Sequence, residues 1–505
     1  MTRVLVLVVA AIGFLFDTYE LLMFPVIGAD AVGELIQVNS DGSLPGWLAE
    51  LGLTRGAELQ RGTSPASVAV RTWAGRMLWI AALAGGAFGL LGGWLIDRLG
   101  RKTIMVASIL LYSLSPVAAA YSTDLWQLVL FRCTTFIGVC VEMVAAVTWL
   151  AELFETKRAR ELAIGWTLAT ASLGGILVTE AYNLIVELSA HGQLSPLYFP
   201  SGHLPHNVAW RYTLLTGLVP GAAILFLMPF VPESRVWRRK KQEGTLRRPR
   251  FRELFSPDLR LTTGVTTLLS ACGYAAAFGA IQMTPLQIAS GLPDIAAQTA
   301  EAEKAVRRAE IKLRSAVDAA DRSAAEAELM AARQAQAAAA QALKARRGNI
   351  QRWQELGGLA GRITLAVLLL FLPSRTLLRV FLVPGVVLLP LTYFRLVHAD
   401  YVVFATAIFF CGLLTVAQFS FLSELLPRVY PMHLRGTGGS FATNFGGRML
   451  GTMAATLNTE VLAKLFSGTP PMQVASAAGV IGGGAYLIAL LASLLLPAPR
   501  SDPEG

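Results

Sequence analysis

The sequence predicts an all-α membrane protein of twelve transmembrane helices in two six-helix halves, with an extra outward helical hairpin between spans 7 and 8. Three observations predict it. Of the 505 residues, 54% are hydrophobic and 15% charged, with a mean hydropathy of +0.54; an ordinary soluble protein carries about 25% charged residues. The apolar residues gather in blocks of roughly twenty, the length of a bilayer-crossing helix. The densest basic cluster, Arg235, Arg238, Arg239, Lys240, Lys241, Arg247, Arg248, Arg250 and Arg252, separates six such blocks from six more. The net charge of +10 therefore reads as a cytoplasmic connection under the positive-inside rule and not as a nucleic-acid surface. A disordered or conventional cytosolic protein is excluded by the same composition.

The blocks run over 4–27, 73–96, 103–121, 126–150, 162–188, 210–231, 261–290, 356–372, 377–397, 401–422, 437–466 and 475–496. Basic residues mark one side: Arg98, Arg101 and Lys102 after span 2, Lys157, Arg158 and Arg160 after span 4, Arg375 and Arg379 after span 8, Arg428 and Arg435 after span 10. Both termini and these loops are expected in the cytoplasm, in a bacterial-type inner membrane. The expected divisions are an N-terminal half 1–231 with an outer insertion 28–71, a basic linker 232–260, a C-terminal half 261–497 and a tail 498–505. Without a small-residue cleavage site, the first block is expected to stay as span 1.

A second outer insertion, 292–355, interrupts the C-terminal half. Residues 294–347 are Ala-rich, dense in Glu, Lys, Arg and Gln, and free of Gly and Pro, a composition of strong helix formers. Pairs such as Glu303–Arg307 and Glu310–Arg314 have the i,i+4 order that supports an exposed helix. One straight helix cannot return the chain to span 8, so a hairpin turning near 318–323 is expected, with arms on the order of 35 Å. It reads as a solvated, weakly coiled-coil spacer or as a docking arm for a protein partner.

The strongest motif is Gly93-Trp-Leu-Ile-Asp97-Arg98-Leu-Gly100-Arg101-Lys102. Glycine permits close helix approach, and an Asp beside a helix end holds cations by charge-assisted hydrogen bonds, a latch that a two-state molecule could make and break. The segment resembles the loop 2–3 signature of the major facilitator superfamily at every defined position. Ala151-Glu152-Leu-Phe154 with Lys157, Arg158 and Arg160 is similar to the family's motif after span 4, although Glu155 stands where Pro is usual. Pro232-Glu233-Ser234-Arg235 resembles its P-E-S-x-R element. Pro431-Met-His-Leu-Arg435-Gly436-Thr437-Gly438, with Asn444 and Arg448, resembles the motif entering span 11. The C-terminal counterpart at Pro373–Arg379 lacks its Asp. The resemblance implies a carrier working by alternating access, with Gly93, Asp97, Arg98, Gly100, Arg101, Lys102, Glu142, Glu152, Arg160, Glu233 and Arg435 as its conformational latch.

Charges inside spans are costly and mark function by default. Asp17 and Glu20 share one face of span 1, and Arg132 in span 4 is expected to pair with Asp17. Pairing and exposing that carboxyl in turn would switch its proton affinity, and the resemblance implies that Asp17, Glu20 and Arg132 couple protons as in sugar-porter-type relatives. A static ion pair is the structural alternative. Arg448, with Asn444 one turn earlier, offers a fork for a carboxylate or phosphate or, equally, a structural hydrogen bond to a neighbouring helix; Gln282 and Arg362 are further candidate substrate contacts, with snorkelling the preferred reading of Arg362. Glu180 and Glu424 are latch or relay candidates, and Glu187 and Glu460 are expected to be merely solvated. Cys133, Cys140, Cys272 and Cys411 have no metal or disulfide spacing, and His203 with His206 alone makes no metal site. No cofactor is called for, and no ATP-binding or hydrolase motif occurs.

The expected function is secondary transport of a small polar metabolite, first an organic anion, coupled to protons. A sugar:H+ symporter, an exporter of lipophilic solutes and a non-transporting sensor or scaffold acting through the outer hairpin are the alternatives. The expected partners are a small-molecule substrate, protons and the lipid bilayer.

Overall fold

The computed structural model describes residues 2–36, 65–153, 157–199, 202–203, 208–230, 233, 235–243, 251–316, 318–431 and 434–496. Its helices are α1 (Thr2–Leu35), α2 (Pro65–Leu99), α3 (Arg101–Ala120), α4 (Leu125–Leu153), α5 (Lys157–Ala190), α6 (Ala209–Leu215), α7 (Leu218–Leu227) and α8 (Arg235–Gln242). The second half holds α9 (Arg260–Ala276), α10 (Met283–Leu286), α11 (Pro293–Ser315), α12 (Ala319–Leu368), α13 (Ser374–Phe394), α14 (Tyr401–Val429), α15 (Arg435–Ser440), α16 (Met453–Thr456) and α17 (Pro470–Ala492). A two-residue hairpin, Tyr198–Phe199 with Gly202–His203, is the one sheet among the described residues.

Among these residues nine helical stretches are long and apolar enough to cross a membrane. Three expected spans, the sixth, eighth and eleventh, are not among the nine, each for a local reason. The sixth breaks into α6 and α7 around Thr216 and Gly217, where a side chain at Gly217 would meet the Glu20 carboxyl. The eighth is the C-terminal part of the 50-residue α12, whose long polar portion dilutes its hydropathy. The eleventh is divided by π-helical turns at Phe441–Gly451 and Leu457–Leu462, a winding that recurs at functional sites. Of the first outer insertion, the helices α1 and α2 take up both flanks, and 37–64 lie outside the described residues.

Close packing relies on small residues where helices cross. Gly357 and Gly361 of α12 lie against the Phe409 and Leu413 carbonyls of α14, and Gly174 of α5 against the Leu15 carbonyl of α1, with no room for a β-carbon. The inserted helices fold back on one another, α11 ending at Ser315 and α12 starting at Ala319. Lys312 Nζ donates to Glu328 at 2.5 Å and Arg346 to Asp294 at 2.5 Å, while Ala309, Leu329 and Ala332 are buried between them. The bond to Glu328 makes the Lys312 ammonium hold its proton more firmly than usual.

At the loop between α2 and α3, Gly100 adopts φ +99°, backbone that favours glycine. The Glu233 carboxylate accepts from the amides of Arg101 (3.1 Å) and Lys102 (3.1 and 3.2 Å), capping the positive N-terminus of α3. Arg101 donates to the Ile96 carbonyl at 3.2 Å. Thus Glu233, from the segment after the sixth block, ties down this loop. The side chains of Asp97, Glu152 and Arg160 lie outside the described ones.

Candidate substrate and proton site

Asp17, Glu142 and Arg448 come from near the midpoints of α1, α4 and the eleventh span, and all three are buried. Helical geometry explains why they converge: Glu142 lies over Gly13, one turn before Asp17, where a β-carbon would collide with its Oε1. Asp17 lies within electrostatic reach of both Glu142 and Arg448. The carboxyls of Asp17 and Glu142 face one another, and the Glu20 carboxyl oxygens have no hydrogen-bond partner among the described residues. A carboxylate in that setting is costly as an anion.

Arg448 is fixed from below and beside. Its Nη1 donates to Asn444 Oδ1 at 2.6 Å and its Nη2 to Met143 Sδ at 3.3 Å; Asn444 in turn donates to Ser440 Oγ at 3.1 Å. The Met143 contact joins the eleventh span to α4, while Arg448 Nε has no hydrogen-bond partner among the described residues. Next to it, Tyr274 packs on Gly447 and Gly451, stacks with Phe278 at a ring-centroid distance of 5.8 Å and meets Phe419 edge-on at 5.0 Å. The centre therefore offers two carboxyls, a forked cation and an aromatic wall.

The expected Asp17–Arg132 pair is absent from the described contacts. Arg132 donates instead to the carbonyls of Glu20 (2.9 Å) and Leu21 (3.1 Å), lies over the rings of Phe136 and Phe24 at 4.7 and 5.3 Å, and acts electrostatically on Glu20. The cause is helical phase and depth: Arg132 reaches α1 one turn beyond Asp17. Glu20 faces the broken sixth span at Gly217, where Tyr19 and Thr216 hydroxyls meet at 2.5 Å.

Other expected residues scatter. Gln282, just past the π-helical turn Ala277–Ile281, is buried with its Oε1 unpartnered. Arg362 does not simply snorkel: it is half-buried and faces Glu355 two turns back, whose carboxylate accepts from Gln351 at 2.8 Å and Gln354 at 3.1 Å. Glu460 is not merely solvated, since Arg76 forks onto it at 2.5 and 2.8 Å. Glu180 pairs with Arg352, and Glu424 with Arg428 at 2.6 Å. His206 lies outside the described residues, and no metal-binding group forms among those described. Glu142, expected in a latch, belongs to the centre, and Tyr274, Met143 and Tyr112 were not expected there. Tyr112 is fully buried near Glu142 and Asp17; a tyrosine among the polar residues of an otherwise apolar span was the available signal.

The architecture matches that of solved carriers. The xylose transporter XylE from E. coli, partially occluded and inward open, superposes with a TM-score of 0.60 at 14% identity over 96% of both chains. Another structure, with a TM-score of 0.57 at 15% identity over 96% of this chain and 94% of that one, is of the major facilitator superfamily proton:xylose symporter XylE bound to 6-bromo-6-deoxy-D-glucose. The fold is that of the major facilitator superfamily. Residues 56–254 of the chain match the sugar (and other) transporter family model. A probable 4-methylmuconolactone transporter of Cupriavidus pinatubonensis is 27% identical over 37% of the chain and 41% of its own length. The 4-hydroxybenzoate transporter PcaK of Pseudomonas aeruginosa is 32% identical over 35% of each chain. The arabinose-proton symporter of Bacillus subtilis is 30% identical over 31% of the chain and 32% of its own length. The chain thus spans well under half the length of the curated relatives it matches.

Proposed function

We propose that the protein is a proton-coupled carrier of a small organic anion, working by alternating access between two six-span halves. The observation that carries this reading is the central meeting of Asp17 and Glu142 with Arg448, across the boundary between the halves. Repeat-built carriers bind substrate near the bilayer midplane between their halves, and an Arg fork suits a carboxylate. Tyr274, Phe278 and Phe419 beside it favour an anion with a planar apolar body, in keeping with relatives named for 4-hydroxybenzoate and 4-methylmuconolactone. Asp17 and Glu142 take protons when the centre is closed to water and release them when one side opens; Glu20, with Arg132 of α4 bonded to the α1 backbone beside it, is a second charged place one turn further along α1. Twelve crossings are reached by adding the broken α6–α7, the end of α12 and the segmented eleventh span to the nine. With the basic loops in the cytoplasm, α11 and α12 project outward as an extra hairpin.

A sugar is the second reading, favoured by buried Gln282 with a free acceptor and by the arabinose-proton relative. The test is external pH in weakly buffered proteoliposomes given 4-hydroxybenzoate, arabinose or a cationic drug, against protein-free liposomes and liposomes carrying Asp17→Asn. Alkalinisation by the acid, above both controls, supports the proposal, and alkalinisation by arabinose alone replaces the anion with a sugar. Silence throughout, with no exchange of radiolabelled solutes, overturns transport of these classes and favours the scaffold alternative.

A further inference from the structure

At the end of the bundle opposite the 93–102 loop, three ion pairs join the halves. Arg76 of α2 forks onto Glu460. The other two come from α12: Arg347 Nη1 lies 2.6 Å from Asp30 Oδ1 of α1, and Arg352 forks onto Glu180 of α5 with two contacts of 2.6 Å. Between these arginines, Gly348 lies flush against Asn183 and Tyr182 of α5, where a β-carbon would overlap Asn183 Oδ1. The inserted segment therefore touches the opposite half through a fitted surface, with a charge grip on either side of it. Gln287 adds a 3.0 Å hydrogen bond to the Arg71 carbonyl of α2.

The grip is mounted on a stiff support. The α12 helix is unbroken for 50 residues and contains span 8 at its other end. It is braced by α11 through Arg346–Asp294 and Lys312–Glu328, and Arg346 also stacks over Tyr401 of α14 at 3.6 Å. Tilting span 8 to open this end of the bundle must carry both arginines away from α1 and α5 together. Pairs as exposed as Arg352–Glu180, at 40% and 47%, contribute little to folding stability. An interaction made in one of two arrangements nevertheless shifts their populations by its whole differential strength.

We propose that the insertion is a clamp: α12 grips α1 and α5 through Arg347 and Arg352, holds the outer end shut, and so sets how often the binding centre opens outward. The inference stands on the contacts between the halves and does not depend on which solute is carried.

The experiment is a distance measurement between spin labels at the exposed outer positions Ala190→Cys of α5 and His398→Cys beyond α13, with the four native cysteines replaced by serine. The full chain in nanodiscs is expected to show one short distance. Arg347→Glu and Arg352→Glu should each add a longer population, and the reversed pairs Arg347→Glu with Asp30→Arg, and Arg352→Glu with Glu180→Arg, should remove it. Should the buried Arg347 variant fail to fold, the more exposed Arg352 pair makes the same test. Distances unchanged by the folded single variants, or broadened equally in single and reversed variants, overturn the clamp.

Discussion

In the proposed carrier Asp17 and Arg448 have different tasks, and their substitutions should separate. Asp17→Asn keeps the shape of the carboxyl but cannot take up and release its proton, so proton-driven accumulation in proteoliposomes should be lost while exchange of substrate across the membrane persists. Full accumulation would remove Asp17 from the coupling step. Arg448→Lys keeps the charge and loses the planar fork, which is not a conservative change at a carboxylate site. Uptake kinetics should show KM raised about tenfold, or about 1.4 kcal/mol, with a smaller change in maximal rate. These two residues were legible because an ionisable group within an apolar run stands out. Their partners were harder to read: sequence separation cannot say which arginine reaches which carboxylate, and the Arg132 side chain meets α1 beside Glu20, not Asp17. Tyr274 carries no formal charge and gave no comparable signal.

At the level of elements, regular helices and an irregular one build the centre together: α1 and α4 bring Asp17 and Glu142, and the segmented eleventh span brings Arg448. The π-helical winding at Phe441–Gly451 places Arg448 and Asn444 beside the Tyr274-bearing surface of α9, whereas the unbroken helices α3 and α14 add Tyr112 and Phe419. Hydropathy finds the latter easily and misjudges the former, because glycine and polar residues that permit unusual winding also lower the apolar signal. Close helix crossings should be sensitive to volume. Gly361 of α12 faces the Leu413 carbonyl of α14 with no free space, so Gly361→Val should destabilise by about 1–3 kcal/mol through overpacking, read as a lower unfolding midpoint in detergent. An unchanged midpoint would mean that the two helices can separate at no cost.

For the whole molecule, the fold was legible in large part: an all-helical chain with many membrane-spanning blocks follows from where apolar and charged residues fall. What the insertion touches was not, since its contacts depend on how the two halves lean on each other. Removing residues 296–346 tests its place directly. Arg347 and Arg352 remain on the shortened helix, so the truncated carrier should reach the membrane and retain most of its uptake. Loss of uptake in a well-inserted protein would give the distal part of the insertion a direct role in transport.

A helix of 50 residues is about 75 Å long at 1.5 Å per residue, while the hydrocarbon layer it must cross is about 30 Å thick. Small all-helical carriers are difficult to align in electron micrographs because nothing rises above the detergent belt. Here α12, stiffened by α11, supplies a built-in mast, so particle images should reveal both the orientation of each molecule and, with a label on the opposite terminus, the side of the membrane on which that mast stands.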